Sequence, residues 1–339
     1  MSSARLFPDV RLHIVSGKGG AGKTTVAAAL ALALAAEGRR TLLMEVEGRQ
    51  GIAQLFDSAP LPYEERRVAR APDGGEVRAL AVDPEAALLE YLEMFYNLRR
   101  AGSALARLGA IDFATTIAPG VRDVLLTGKA VEAVKRTKDG RPVFDAVVMD
   151  APPTGRITRF LNVNSEVAGI ARMGPIHSQA KSVMAVMASP RTAVHLVTLL
   201  EEMPVQETID GVGHLHEEGL PVGAIIVNSD RPPVLTAARR AEALSGGLDR
   251  AALAGAVRAA DVITARDPHT VDEVVQGLVD EAHDHAERVA VAEQERDRLA
   301  QLDLPRLSLP HIPTGIDLGA LYELADRLRA GGLGSQPRP

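Results

Sequence analysis

At 339 residues the chain exceeds a typical single domain, although doubly wound α/β proteins reach this length on one enlarged sheet, and a formal net charge of −6 gives no basic excess to attract nucleic acid. Cysteine is absent, which excludes disulfides, a cysteine-type zinc site and any thiolate-held metalloid. The mixture of 46% hydrophobic and 24% charged residues is ordinary for a soluble protein, the amino-terminal MSSARLFPDV has no apolar signal core, and the run Val26–Ala36 falls short of the roughly 20 residues a membrane span needs, so a cytoplasmic location is expected.

In chain order, Leu12–Ser16 reads as a β-strand and Val26–Ala36 as a helix. Between them lies Gly17-Lys18-Gly19-Gly20-Ala21-Gly22-Lys23-Thr24-Thr25, which meets the P-loop pattern G-x-x-x-x-G-K-[ST] at every fixed position. The glycines let successive backbone N–H groups turn toward a phosphate chain, and the helix N-terminus adds partial positive charge behind them. Lys23 then reaches the β- and γ-phosphates, and the Thr24 hydroxyl is placed to ligate Mg²⁺.

Gly38 sits where a helix ends, and Thr41–Val46 reads as a second strand that leaves through the polar loop Glu47-Gly48-Arg49-Gln50-Gly51. In a doubly wound sheet, ligands bind at such strand ends. Val77–Val82 is expected as a third strand, closed by the helix-start pair Asp83-Pro84. From Glu85 to about Lys138 the pattern is helical, with Leu88, Leu89, Leu92 and Phe95 on one side and a break at Pro119-Gly120. So much helix between two strands exceeds a simple crossover and predicts an inserted helical subdomain.

Phe144–Met149 has the pattern of a buried strand and ends in Asp150, followed by Ala151-Pro152-Pro153-Thr154-Gly155. An acid there suits a Walker B carboxylate in a Mg²⁺ shell beside a switch loop, and a simple helix-capping aspartate is the other reading. Helical patterning resumes from Ile157 to Ser189, where Met173, Met184 and Met187 fit either an adaptable hydrophobic groove or core packing. Two further strands are expected at Ala193–Leu199 and Val222–Val227, the second ending in Asn228.

A helical region follows from about Val234 to Leu302, interrupted at Gly246-Gly247 and Pro268; His283 and His285 within it point to different faces and read as solvated. Leu304–Leu309 is expected as a last strand. Leu318–Leu328 is expected as a last helix, whose leucines suit packing on the sheet or contact with a membrane surface. The fold class is therefore α/β, a doubly wound, mainly parallel sheet with a P-loop and an inserted α-helical subdomain. We expect one P-loop domain over residues 1–330, its helical subdomain at about 85–140 and 157–190, and a disordered tail at 331–339.

Together these stretches resemble the arsenite-pump ATPase family, which also contains the ATPase for guided entry of tail-anchored proteins. The resemblance rests on Gly17–Thr25, on TLLMEVEGRQG (Thr41–Gly51), Asp83-Pro84, Pro119-Gly120, DAPPTGRITRFL (Asp150–Leu161), TAVHLVTLLEEMPVQET (Thr192–Thr208), VNSDRPP (Val227–Pro233) and LPHIP (Leu309–Pro313). It implies an ATP- and Mg²⁺-dependent homodimer, or a heterodimer with a paralogous ATPase, that closes on nucleotide and forms a groove for a hydrophobic or membrane-destined client.

Lys18, which makes the loop a deviant Walker A motif, is implied to reach the partner's nucleotide. Asp150 is implied in the Mg²⁺ shell, Asn228 on the adenine, and Pro310 and Ile312 beside the base. The first switch departs from the family's D-P-A-H: Glu47-Gly48-Arg49-Gln50 stands there, with Glu47 as the candidate to orient water, and Arg156 replaces a usual histidine in the second switch. Water positioning tolerates little displacement, so a slow ATPase, or a subunit leaning on a paralogous partner, is expected.

Overall fold

A computed structural model describes residues 6–71, 74–96, 119–170, 175–260 and 268–334. The helical expectation for residues 97–118 and the reading of Met173 lie outside them. The chain divides into two compact units, one formed by Met1–Leu199, Gln206–Asp230 and Asp303–Pro339, the other by Leu200–Val205 and Arg231–Leu302.

The first unit begins with β1 (Leu12–Gly17), α1 (Lys23–Ala35), β2 (Arg40–Glu45), a short α2 (Gly51–Leu55), β3 (Arg66–Arg70) and β4 (Glu76–Ala81). Helices α3 (Pro84–Tyr96) and α4 (Pro119–Lys135) follow, then a two-stranded hairpin of β5 (Thr137–Lys138) and β6 (Arg141–Pro142). Next come β7 (Ala146–Asp150), α5 (Thr154–Ile170), α6 (Pro175–Met187), β8 (Thr192–Thr198), α7 (Glu202–Glu217) and β9 (Val222–Asp230).

The strands make an eight-stranded sheet in the order β10-β9-β8-β1-β7-β2-β4-β3, where β10 is Arg306–Pro310; β3 pairs antiparallel with β4, and every other pair is parallel. Strand β1 occupies the middle, and all six of its residues are buried. Alternation along the strands sends Val15, Leu43, Val148, Val197 and Ile226 to one face, where they join α1 and the last helix, α11 (Leu318–Ala330). Ile14, Leu42, Met44 and Met149 are buried on the other face, the side of α4 and α5.

Helix α1 has no polar side: Val26 through Ala35 are all buried, and its alanines allow the sheet and α11 to approach closely. On α11, Leu321, Leu324 and Leu328 fill the same core, so the leucine stripe packs within the fold rather than facing a membrane; Leu318, at its start, is exposed. Among the described residues no helix is long and apolar enough to cross a membrane.

Three expectations and one omission need correcting. The helical run does not continue to Lys138, because Asp139 and Gly140 both take positive φ (52° and 73°) and turn the chain into the β5–β6 hairpin. The edge strand β3, Arg66-Arg67-Val68-Ala69-Arg70, was hidden by its charges, which an exposed edge tolerates. Residues 331–334 are not a loose tail: Leu333 is fully buried against the α1 core, and the carbonyl of Gly332 accepts from Leu6 N at 2.8 Å. Residues 335–339 lie outside the described residues. Met187 is core, while Met184 is half-buried.

In the second unit, α8 (Ala237–Leu244) and α9 (Arg250–Ala259) lie along the long helix α10 (Pro268–Ala300), which Pro268 starts. The Thr236 and Asp249 side chains cap the two short helices. The fourth correction falls here: rather than being simply solvated, His283 meets the Ala243 carbonyl through Nδ1 at 3.2 Å, and His285 Nε2 accepts from Val234 N at 3.2 Å.

One buried pair ties the centre of the sheet to pH. His195 on β8 accepts the Ala224 N–H at Nδ1 (3.0 Å), so its proton sits on Nε2 and is donated to His13 Nδ1 on β1, also at 3.0 Å. Burial, reinforced by His13, holds the His195 pKa well below its ordinary value. The unfolded chain gains a proton below about pH 6.5 that the folded chain refuses, so stability falls as pH drops through that value. Between pH 7 and 5.5 this group alone should remove about 1 kcal/mol of unfolding free energy. Urea titrations across that range should show a shallower pH slope in His195→Leu than in the wild type.

Candidate functional site

The loop from β1 to α1 is shaped by what a side chain would strike. At Gly17 (φ 151°) a Cβ would run into the Val197 carbonyl, and at Gly22 (φ 87°) into the Asn228 amide, so the loop lies flat against β8 and β9 only with glycine there. Gly22 is the left-handed N-cap of α1; no side chain caps the helix, and no acidic residue stands in its first turn. The first backbone N–H groups of α1 are therefore left for an anion, at the positive end of the helix. Gly19 and Gly20 have open space where a Cβ would stand.

Parallel register brings the ends of three strands together: Val15 lies opposite Asp150, and Asp150 opposite Glu45. Thr24, one residue into α1, donates its hydroxyl to Asp150 Oδ2 at 2.7 Å. Burial pushes the Asp150 carboxyl up to about 6, while the Thr24 hydrogen bond and Lys23 pull it down and Glu45 and Glu47 push it further up. A hydroxyl and a buried carboxylate short of positive charge are the hard oxygen donors that Mg²⁺ takes. Among the described residues no cluster of three or more acidic or histidine side chains stands ready to hold a metal. The two oxygens thus fit a cation that takes its remaining ligands from phosphate and water.

Lys23 Nζ rests 3.4 Å from the Lys18 carbonyl, a long contact that leaves it available, and burial lowers its pKa against the pull of Asp150 and Glu47. Lys18 itself turns inward to Glu207 Oε1 on α7, at 3.2 Å, so here its partner is within its own chain. The same carboxylate accepts from Thr154 Oγ1 at 3.2 Å, linking the P-loop lysine to the loop after β7. That loop is also fastened to β1, through Ser16 Oγ to the Pro152 carbonyl at 2.6 Å. Glu207 escaped the sequence reading because it lies far along the chain on an ordinary amphipathic helix.

The loop after β2 is held by a second residue the sequence reading passed over. Glu45, only 2% exposed, accepts the backbone N–H of Gln50 and of Ile52 (3.1 Å to the latter) and so caps α2. Its signal was present: an acid closing the apolar run Thr41-Leu42-Leu43-Met44. Gln50, in a left-handed conformation (φ 57°), clasps Leu61 from both ends of its amide, donating to the carbonyl at 3.2 Å and accepting the N–H at 2.7 Å. A Cβ on Gly51 would come within 3.3 Å of Thr24 Cγ2, so this loop lies against the P-loop threonine. Glu47 keeps a partly exposed carboxylate, 3.6 Å from Arg49 Nη2, and Arg156 is exposed at the start of α5.

On the other flank, Asn228 Nδ2 donates to the Ala21 carbonyl at 2.9 Å and braces the P-loop from β9. Pro310 closes β10 opposite Asp230, and Ile312 packs on the α1 core. Gly17–Thr25, Glu47, Asp150, Asn228 and Pro310 therefore sit at or just beyond the carboxyl ends of neighbouring strands, with Ile312 in the loop that follows β10.

A family model described as anion-transporting ATPase matches residues 10–190. The chain is 52% identical to the ATPase BagA of Mycobacterium tuberculosis (strain ATCC 25618 / H37Rv) over 325 residues, 96% of this chain and 94% of that one. It is 25% identical to an arsenical pump-driving ATPase of Escherichia coli over 247 residues, 64% of this chain and 39% of that one. With the ATPase get3 of Schizosaccharomyces pombe (strain 972 / ATCC 24843) it shares 28% over 183 residues, 52% of each chain.

If Thr24 is the partner that keeps the buried Asp150 satisfied, Thr24→Val, which keeps the shape and removes the hydroxyl, should lower the unfolding free energy by about 1–3 kcal/mol in EDTA at pH 8. An unchanged urea midpoint would show that the bond carries no weight.

Proposed function

The chain belongs to the anion-transporting ATPase family, and on that footing we propose that it is a cytoplasmic P-loop ATPase that binds ATP with Mg²⁺ at Gly17–Thr25 and hydrolyses it slowly. The observation that carries the reading is the Thr24–Asp150 hydrogen bond of 2.7 Å at the open N-terminus of α1, beside Lys23. In this reading the loop amides hold the phosphates and Lys23 neutralises charge at the transferred group. Thr24 and Asp150 would hold Mg²⁺, which when bound neutralises and orients the phosphate oxygens. Glu47 orients the attacking water, and Asn228, Pro310 and Ile312 border the base.

Hydrolysis is coupled, we infer, to pairing of two ATPase chains and through their helices to a hydrophobic or membrane-destined client. Lys18 supports the first part: released from Glu207, it becomes a cation that a partner's phosphates can take up. A second reading, a weakly or non-hydrolysing member of a heterodimer with a paralogous ATPase, is favoured by the first switch. There Glu47 faces Arg49, and Gln50 is fastened to Leu61 and Glu45.

Steady-state phosphate release in Mg²⁺ and saturating ATP tests both. In the first reading, Lys23→Ala should lower turnover at least about a hundredfold. Glu47→Asp should raise it, by up to about a hundredfold, as the carboxylate moves to the geometry the family's aspartate provides. Absence of turnover in the wild type together with no gain in Glu47→Asp would move the conclusion to the non-hydrolysing subunit. Glu207→Gln should leave the urea midpoint nearly unchanged, since the pair is partly exposed, yet promote ATP-dependent dimer formation in light scattering. A midpoint and a dimer fraction that both match the wild type would remove Lys18 from the coupling.

A further inference from the structure

Away from the P-loop, helices α3, α4, α5 and α6 surround a cavity of about 360 Å³. Much of its wall is apolar and buried, as at Leu125, Val131 and Val183. The size falls within the range of small-molecule sites, roughly 300–1,000 Å³.

Two features of the wall concern its occupant. Asn164 on α5 is fully buried, and its Nδ2 donates to Thr127 Oγ1 at 2.8 Å. The Thr127 hydroxyl spends its one proton on the Asp123 carbonyl at 2.7 Å, so it must accept from Asn164, and this fixes which way the amide faces. Asn164 Oδ1 is then left over: among the described residues no donor reaches it. A buried acceptor without a donor is unfavourable, and a ligand N–H or O–H would cancel that deficit.

The second feature is Gly128, in the interior of α4, where an added Cβ would meet nothing within 4 Å. Glycine weakens a helix interior relative to alanine, and nothing among the described residues requires it here; its effect is to widen the cavity by a side chain. Apart from Lys135, which is exposed and donates to Ser182 Oγ at 2.5 Å, the charges at the wall are already matched. Lys129 Nζ lies 2.7 Å from Glu90 and 3.4 Å from Glu132, Tyr63 donates to Glu90, and Arg136 joins Glu132 to Glu65 at 2.6 and 2.5 Å. An ionic ligand held inside, away from the exposed Lys135, would have to break these pairs.

We infer that the cavity is a binding site for a small neutral molecule, an apolar body bearing one hydroxyl or amide N–H donor directed at Asn164 Oδ1. None of the lining residues belongs to the phosphate loop.

Calorimetry on the full chain with benzyl alcohol and with toluene, matched in shape but without the donor, tests it. Benzyl alcohol should bind about tenfold more tightly, and Asn164→Leu should bring the two to parity. Gly128→Leu should fill the cavity and abolish binding of both, in a protein whose circular dichroism and melting temperature match or exceed the wild type. Failure of both compounds to bind, equal affinity in the wild type, or unchanged binding in a folded Gly128→Leu protein would each overturn the assignment.

Discussion

The constraint on which the site depends is a carboxylate kept in a place that disfavours its charge. Asp150 ends a strand at the middle of the sheet, 8% exposed, with Glu45 beside it in register and Glu47 nearby. Thr24 and Lys23, the first residues of α1, oppose that cost. This requires the P-loop helix to start directly over β7, which the parallel neighbours β1 and β7 ensure. The loop and the carboxylate proposed to take phosphate and its cation are thus two results of one register.

Much of the proposed nucleotide site was legible because chemistry and local geometry coincide there. A glycine-rich turn between an apolar strand and an alanine-rich helix admits few other uses, and Asp150 is conspicuous at the end of Val147-Val148-Met149. The parts that escaped were those set by pairing across distance. Glu45 became visible as a loop anchor only when β2 was seen to end over α2, and Glu207 only when α7 came beside Lys18. Strand β3 lacked an apolar signature because an edge needs only one buried residue, Ala69, to be placed. The Asp139-Gly140 turn, by contrast, carried a hairpin signal that helical periodicity on its amino-terminal side obscured.

The loop after β2 is tied at several points. Glu47-Gly48-Arg49-Gln50 brings a long acid, a glycine at positive φ and two long side chains. The chain answers with fastenings: Glu45 takes two backbone N–H groups and Gln50 grips Leu61. A loop so tied costs less entropy to hold in one place, and more energy to rearrange when a phosphate is lost.

Helix α1 begins at the phosphate cradle, and its interior residues Val26–Ala35 are enclosed on every side. An added methyl group on Ala27, Ala29, Ala31 or Ala33 would press on the sheet or on α11, and a removed one at Leu30, Leu32 or Leu34 would open a void behind the loop. Substitution in this helix is consequently confined to paired changes with the surfaces that enclose it. It is the segment where divergence from any common ancestor should run slowest, even though none of those residues would touch a nucleotide.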